Sequence, residues 1–350
     1  MSPGAHLLEV SNLKVSFQTE EGVVRAVDGV SFALEQGEVV AIVGESGSGK
    51  SVTAMTLLGL TRSPNASFEG SAQLEGKELI TASEEQLREI RGGEIAMIFQ
   101  DPMSSLDPVY RIGSQIVEQI VAHDFQVSKS EAMERAIALM DRVGIPRARE
   151  RVRSYPHEFS GGMRQRVMIA MALSCSPKVL IADEPTTALD VTIQAQILDE
   201  LRTLRKETDA GIILVTHDLG VVADIADRIV VMYAGRVVEQ GTLDEIFYNP
   251  QHPYTWGLLG SITRVDRDTT GLLPSIPGTP PSLVSPPAGC HFRPRCPHAF
   301  DRCTDVPALE AHLPETPQHV DRCWLSAMQK RDLRQVGDRI GLAADEPVIA

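Results

Sequence analysis

Short unbroken apolar runs punctuate the first two thirds of the chain: Val39 to Val43, Ile95 to Phe99, Val179 to Asp183, Ile212 to Thr216 and Ile229 to Tyr233. Each has the length of a strand, and between them apolar positions recur at helical spacing. Strands alternating with helices predict a mainly parallel α/β sheet. From Asp101 to roughly Ser160 the rhythm changes, with Ile112, Ile116 and Ile120, then Ala136, Leu139, Met140 and Val143, falling on helical stripes. That region is expected to form a helical subdomain inserted in the α/β order. No run approaches the ~18 apolar residues that a spanning helix needs.

Beyond about residue 245 the pattern breaks. Of the 22 prolines, 13 lie between Pro250 and Pro317, and Pro274 to Pro287 reads as a stiff extended connector without a core of its own. The expected domains are therefore 1–265, holding the α/β core and the helical subdomain at about 101–160; 266–330, a Pro-rich connector and Cys cluster; and 331–350, a polar tail. With 43% apolar residues the 350-residue chain can bury a large core, and 33 basic against 47 acidic residues give a net charge of −14. That balance disfavours a nucleic-acid partner. Met1 to Val10 lacks the basic start and apolar stretch of a secretory signal, so residence in the cytoplasm is expected.

The chemistry starts at Gly44-Glu45-Ser46-Gly47-Ser48-Gly49-Lys50-Ser51, a P-loop pattern placed directly after an apolar strand and before the helical run from Val52 to Leu60. Glycines let successive N–H groups curl around phosphate oxygens, and the following helix adds its positive end. Lys50 would reach the β and γ phosphates, and Ser51 would place its hydroxyl on Mg²⁺. The strand Val179 to Asp183 ends beside Glu184, and neighbours in a strand point to opposite faces, so the two carboxylates cannot share one task. Asp183 suits a Mg²⁺ anchor; Glu184 suits a general base that polarises the attacking water.

Phe159-Ser160-Gly161-Gly162-Met163-Arg164-Gln165 resembles the signature motif of the ATP-binding cassette ATPases and precedes the Asp183 strand by one short helix. The remaining motifs follow in the family's order. Gln100 is similar to the Q-loop glutamine, Ala188-Leu189-Asp190 to the D-loop, and His217 to the switch histidine; Phe17 resembles the aromatic that stacks on adenine. Met163 departs mildly from the pattern, standing where many cassettes carry glutamine. The resemblance implies a P-loop ABC nucleotide-binding domain of α/β class, with a RecA-like core, an antiparallel β subdomain and a helical signature subdomain. It also implies an ATPase in which Glu184 and His217 are catalytic and Phe17, Gly44 to Val52, Gln100 and Asp183 bind ATP, with Mg²⁺ held through Ser51, Gln100 and Asp183. Ser160 to Gln165 would close over the nucleotide of a second ABC ATPase subunit, expected to be a paralogue. Ser160 with the N–H groups of Gly161 and Gly162 opens a helix, which is independently an anion site.

Ile246 to Thr255, Ile276 to Leu283 and Cys290-His291-Phe292-Arg293-Pro294-Arg295-Cys296-Pro297 are similar to the carboxy-terminal region of oligopeptide and dipeptide permease ATPase subunits. That implies a peptide importer, with two transmembrane permease subunits, an extracytoplasmic substrate-binding protein acting indirectly, and a peripheral place on the cytoplasmic membrane face. Nickel, opine or oligosaccharide uptake, or a soluble cassette ATPase without a membrane partner, remain the alternatives. Cys290, Cys296, Cys303 and Cys323 have spacing that fits neither common zinc ribbons nor bacterial ferredoxins, so a metal is expected without its identity. Some members of the resembled family carry a [4Fe-4S] cluster here; Zn²⁺, with His291 and His298 as spare ligands, and unmetallated thiols are the alternatives. Arg293, Arg295 and Arg302 lie among the thiols and are expected to lower their pKa values.

Overall fold

The computed structural model describes residues 6–101, 105–186, 191–261 and 276–339. Asp190 with Ala188 and Leu189, the expected boundary near 265, Pro274 and the end of the polar tail lie outside them. In chain order the elements are β1 (Leu8–Thr19), β2 (Gly22–Leu34), β3 (Val39–Val43), α1 (Lys50–Leu57), β4 (Ala66–Leu74), β5 (Lys77–Glu78), α2 (Glu84–Ile90) and β6 (Ile95–Ile98). There follow α3 (Ile112–His123), α4 (Lys129–Arg142), α5 (Ala148–Arg151), α6 (Gly161–Leu173), β7 (Val179–Asp183), α7 (Val191–Thr208) and β8 (Gly211–Thr216). The last are α8 (Leu219–Ile225), β9 (Arg228–Tyr233), β10 (Arg236–Thr242), α9 (Leu243–Tyr248), α10 (Pro253–Gly260), β11 (Glu310–Ala311), β12 (Val320–Asp321) and α11 (Ala327–Arg339).

The chain divides into two compact units. One contains the residues up to Leu7, Leu34–Val39 and Thr81–Val215. In it β6, β7 and β8 run parallel, with Ile95 opposite Val179 and Val179 opposite Gly211. All three are buried along their whole length, which is why they read as continuous apolar runs. The expected helical stripe is present as α3 and α4, with Ile112, Ile116 and Ile120 of one and Ala132, Ala136 and Met140 of the other buried. Ser128 caps α4 by accepting from the Glu131 N–H, and Ser83 with Gln86 forms a capping box on α2.

The other unit contains Leu8–Ala33, Val40–Ile80 and the residues from Thr216 onward. Its antiparallel sheet has the order β2-β1-β4-β5. A second set of strands starts with β3 and β9 in parallel and turns through Ala234 and Gly235, both at positive φ, into antiparallel β10. The short strand β12 then pairs with β10, setting Asp321 opposite Glu239, and β11 pairs with β12. Residues beyond Ile276 thus extend the strand pairing of this unit. Buried charge holds the added edge: Glu239 accepts from the N–H groups of Gln251 and His252 at 2.6 and 2.9 Å and lies 2.8 Å from His319 Nε2. Lys330 of α11 donates to both oxygens of Asp321 at 2.7 Å, and both side chains are 1% exposed. Charges taken out of water this completely are stable only when paired in this way. The polar pattern of the tail gives no sign of that helix or of its anchoring lysine.

Candidate nucleotide site and cysteine pocket

The residues from Gly44 to Gly49 join the buried strand β3 to helix α1, and two of the glycines are forced by space. Gly44 sits at φ 151° and Gly49 at φ 99°; a Cβ there would stand 2.1 Å from the Met232 carbonyl oxygen and 2.3 Å from that of Ala26. No side chain fits either position. Lys50, buried, donates to the carbonyl oxygens of Gly44 at 2.8 Å and Glu45 at 3.0 Å, so its ammonium is held over the mouth of the loop. The Ser48 hydroxyl is buried and has no hydrogen-bond partner among the described residues. An orphaned donor inside a phosphate-shaped loop fits an incoming phosphate oxygen, because leaving it unmade costs about 1–3 kcal/mol.

Glu45 is held at three points. Its N–H donates to the Tyr254 hydroxyl at 2.8 Å, its carbonyl receives Lys50, and its carboxylate takes a two-pronged contact from Arg295 at 2.6 and 3.0 Å. No local sequence pattern announces the Tyr254 and Arg295 contacts; the only hint is an acid at a loop position otherwise surrounded by small residues. His217, exposed just after β8, lines a cavity of about 290 Å³ together with Gly44 and Glu45, as well as Leu219, Leu258, Ser261 and Ile276. Phe17, in the same unit, lies on β1 opposite Ala66 and is only half-buried, which keeps its ring available for stacking. Ser46, Gly47, Ser51 and Val52 complete the loop and the first turn of α1, with Gly47 at φ 76°.

In the other unit, Asp183 ends β7 and is 3% exposed. Glu184 follows at φ 49°, its N–H donating to the Val215 carbonyl at 2.8 Å. The separation of the two carboxylates therefore does not come from strand alternation, as the sequence suggests, but from a left-handed backbone that turns Glu184 off the strand axis. Such a conformation in a residue other than glycine costs on the order of 1–2 kcal/mol and is held by its surroundings. Gln100, exposed beyond the end of β6, donates from Nε2 to Glu184 Oε2 at 3.0 Å. The Q-loop and the adjacent acid are thus joined directly.

Ser160 caps α6, its hydroxyl accepting from the Met163 N–H at 3.4 Å. Ser160 and Gly161 are exposed, Gly162, Met163 and Arg164 are half-buried, and a Cβ on Gly161 would meet no described residue beyond its chain neighbours and own helix within 4 Å. Arg164 Nε donates to the Pro156 carbonyl at 2.7 Å, and the buried Gln165 amide donates to the Pro185 carbonyl, tying the signature helix to the turn that follows Glu184.

Cys290, Cys296, Cys303 and Cys323 converge on one pocket, walled also by His252, Phe292, His298 and Trp324. The space left at its centre is only about 10 Å³, roughly enough for one water. Among the described residues no three His, Cys, Asp or Glu side chains stand in an arrangement ready to hold a metal ion. All four cysteines are free thiols. Burial pushes Cys290 up, Cys296 up to about 11 and Cys323 up to about 12, the reverse of the lowering expected from nearby arginines. Loss of water around the thiols outweighs the arginines, two of which are engaged elsewhere: Arg295 is committed to Glu45, and the Arg302 guanidinium lies 3.9 Å over the Trp324 ring. His291 Nδ1 is bonded to the Ala234 carbonyl at 2.9 Å, and His298 faces the pocket.

A family model described as ABC transporter matches residues 27–187, and one described as the oligopeptide/dipeptide transporter C-terminal region matches residues 238–303. The oligopeptide transport ATP-binding protein OppD of Salmonella typhimurium is 53% identical over 312 residues, covering 89% of this chain and 92% of that protein. The dipeptide transport ATP-binding protein DppD of Lactococcus lactis subsp. cremoris is 52% identical over 319 residues, covering 91% and 90% respectively. Among solved structures, the ATP-binding cassette MJ0796, dimeric in a post-hydrolysis state with ADP and Pi, matches with a TM-score of 0.62 at 26% identity, covering 67% of this chain and 98% of that one.

Proposed function

The chain belongs to the ABC transporter family, in its oligopeptide/dipeptide transport branch, and from that premise we propose how its residues drive peptide uptake. It has the P-loop ABC ATPase fold and is the ATPase subunit of a peptide ABC importer. The observation that carries the nucleotide assignment is the loop itself, where Gly44 and Gly49 are sterically obligatory, Lys50 is held at the mouth and Ser48 has no partner among the described residues.

Gly44 to Val52 bind the phosphates of ATP, and Phe17 stacks on the adenine. Glu184 accepts a proton from the attacking water, and its hydrogen bond to Gln100 supports a role for the Q-loop in orienting that acid. His217 holds the γ phosphate; the cavity it shares with Gly44 and Glu45 supports this. Ser51, Gln100 and Asp183 would hold Mg²⁺, which when bound neutralises charge on the phosphate oxygens. Ser160 to Gln165 bind the nucleotide of a paralogous cassette, the open helix end being the support, and Asp190 serves that same interface. Two permease subunits receive the motion. The chain itself has no described helix long and apolar enough to cross a membrane, so it would sit against the cytoplasmic face through those subunits. Residues 1–265 form the motor and 266–330 the appended connector and cysteine region.

The cysteine region holds a [4Fe-4S] cluster in this reading, with Zn²⁺ as the alternative. Convergence of four thiols on one pocket is its support, and the thiols must lose protons and spread apart to take either group. Anaerobically purified protein should absorb broadly near 400 nm; colourless protein with one equivalent of zinc would decide for the alternative. For the transport reading, the chain is assembled with its partner cassette and permeases in proteoliposomes. A peptide delivered by the binding protein should raise ATP hydrolysis and accumulate. Stimulation by nickel, an opine or an oligosaccharide, with none by peptides, would reassign the cargo.

A further inference from the structure

Arg295 belongs to the cysteine region by sequence, standing between Cys290 and Cys296, yet its side chain is spent on the phosphate-binding loop. All five of its N–H donors are used: Nε on the Pro277 carbonyl, Nη1 on Glu45 and the Tyr233 hydroxyl, Nη2 on Glu45 and the Ile276 carbonyl. The side chain is 5% exposed and its guanidinium lies 5.8 Å from the centre of the Tyr233 ring. A planar fork fully satisfied in this way tolerates little displacement, since any shift breaks several charge-assisted bonds together.

The backbone that carries Arg295 is part of the cysteine pocket. Its N–H donates to the Phe292 carbonyl, the Cys296 N–H donates to that of Arg293, and the Cys290 N–H donates to that of Cys303. Phe292, a wall of the pocket, packs its ring 5.2 Å from that of Tyr233 and 5.4 Å from that of Tyr254, the residue whose hydroxyl receives the Glu45 N–H. Two routes from the thiols, one through Arg295 and one through Phe292 and Tyr254, therefore end on Glu45.

We propose that Arg295 is a positioning residue of the nucleotide site, which transmits the packing of the four-cysteine pocket to the phosphate-binding loop through Glu45. The inference rests on the assignment of that loop to ATP. Whatever spreads or orders the thiols moves the turn at Arg293–Arg295, and the loop gains or loses its grip on nucleotide with it.

The test is ATP binding by calorimetry on the full chain, together with KM and kcat of the assembled ATPase. Arg295→Met and Glu45→Gln should each weaken ATP binding about tenfold, the value of one charge-assisted contact, and raise KM with kcat nearly unchanged. Arg295→Lys, which keeps the charge but not the fork, should fall between. The double variant should be no weaker than the worse single one. Replacing Cys290 and Cys296 by serine should weaken binding in the same direction, and this effect should vanish in the Glu45→Gln background. Singles within about twofold of the unsubstituted chain, a double variant whose losses multiply, or a cysteine effect that persists without Glu45 would each overturn the inference alone. An unsubstituted chain that binds no ATP would remove the nucleotide assignment first, and the inference with it.

Discussion

Two places in this molecule present backbone N–H groups at the start of a helix, the N-terminal ends of α1 and α6, and they are built in opposite ways. The loop from Gly44 to Gly49 is walled in: glycine is imposed by the carbonyls of Met232 and Ala26, Lys50 closes the mouth, and Glu45 is fixed by Tyr254 and Arg295. The start of α6 is open: Ser160 and Gly161 are exposed, and a methyl on Gly161 would touch no described residue outside its own helix and neighbours within 4 Å. The described contacts that shape the first site are all made within the chain. At the second, no described residue imposes glycine, which is what the proposed approach of another subunit's nucleotide expects.

The sharpest way to break the contrast is to add one methyl at each site. Gly49→Ala places a Cβ 2.3 Å from a carbonyl oxygen at a left-handed φ, and should abolish ATP binding by the isolated chain. ATP binding that survives would mean the loop has another nucleotide-competent form. Next in size is Glu184→Gln: turnover of the assembled enzyme should fall about a hundredfold or more while ATP still binds, as for a lost general base. Steady-state hydrolysis and equilibrium binding measured on the same preparation separate the two. The third is Gly161→Ala, for which the melting temperature and the ATP affinity of the isolated chain should not change. Hydrolysis by the assembled pair should drop about tenfold, the worth of one contact to a charged phosphate. A loss of affinity in the isolated chain would mean that the bare end serves its own nucleotide.

The same contrast separates what is local in the sequence from what only the fold brings together. Residues 44–51 and 160–165 are local patterns whose chemistry is contained in a few consecutive positions, and the strands at Val39, Val179 and Ile229 are apolar runs, so both motifs and the core are visible in one pass along the chain. Arg295 and Glu45 are 250 positions apart. Nothing local links them, and Arg295 read in isolation belongs to the thiols beside it. Burial likewise reverses the expected effect on those thiols, because solvent exclusion is a property of the folded pocket, whereas the arginine count is a property of the sequence. The turn of Glu184 is hidden for a similar reason: a left-handed residue that is not glycine leaves no compositional mark.

The smallest effects distinguish the two sites most cleanly, because they concern one hydroxyl at each. Ser160 already spends its oxygen on the Met163 N–H, so Ser160→Ala should cost the free chain about 1 kcal/mol, the usual value of a helix cap. It should leave unchanged the extra stability that ATP confers on the isolated chain. Ser48 has no partner among the described residues, so Ser48→Ala should leave the free chain as stable as before or slightly more so, because a buried hydroxyl without a bond contributes only its desolvation cost. ATP should then protect it less, since protection follows RT ln(1 + [L]/Kd) and the serine's bond to phosphate is missing from Kd. Thermal melts with and without ATP therefore give opposite patterns for the two serines. Identical patterns would mean that Ser48 is not waiting for a phosphate, and the walled-in loop would then lose the feature that most directly marks it as a nucleotide site.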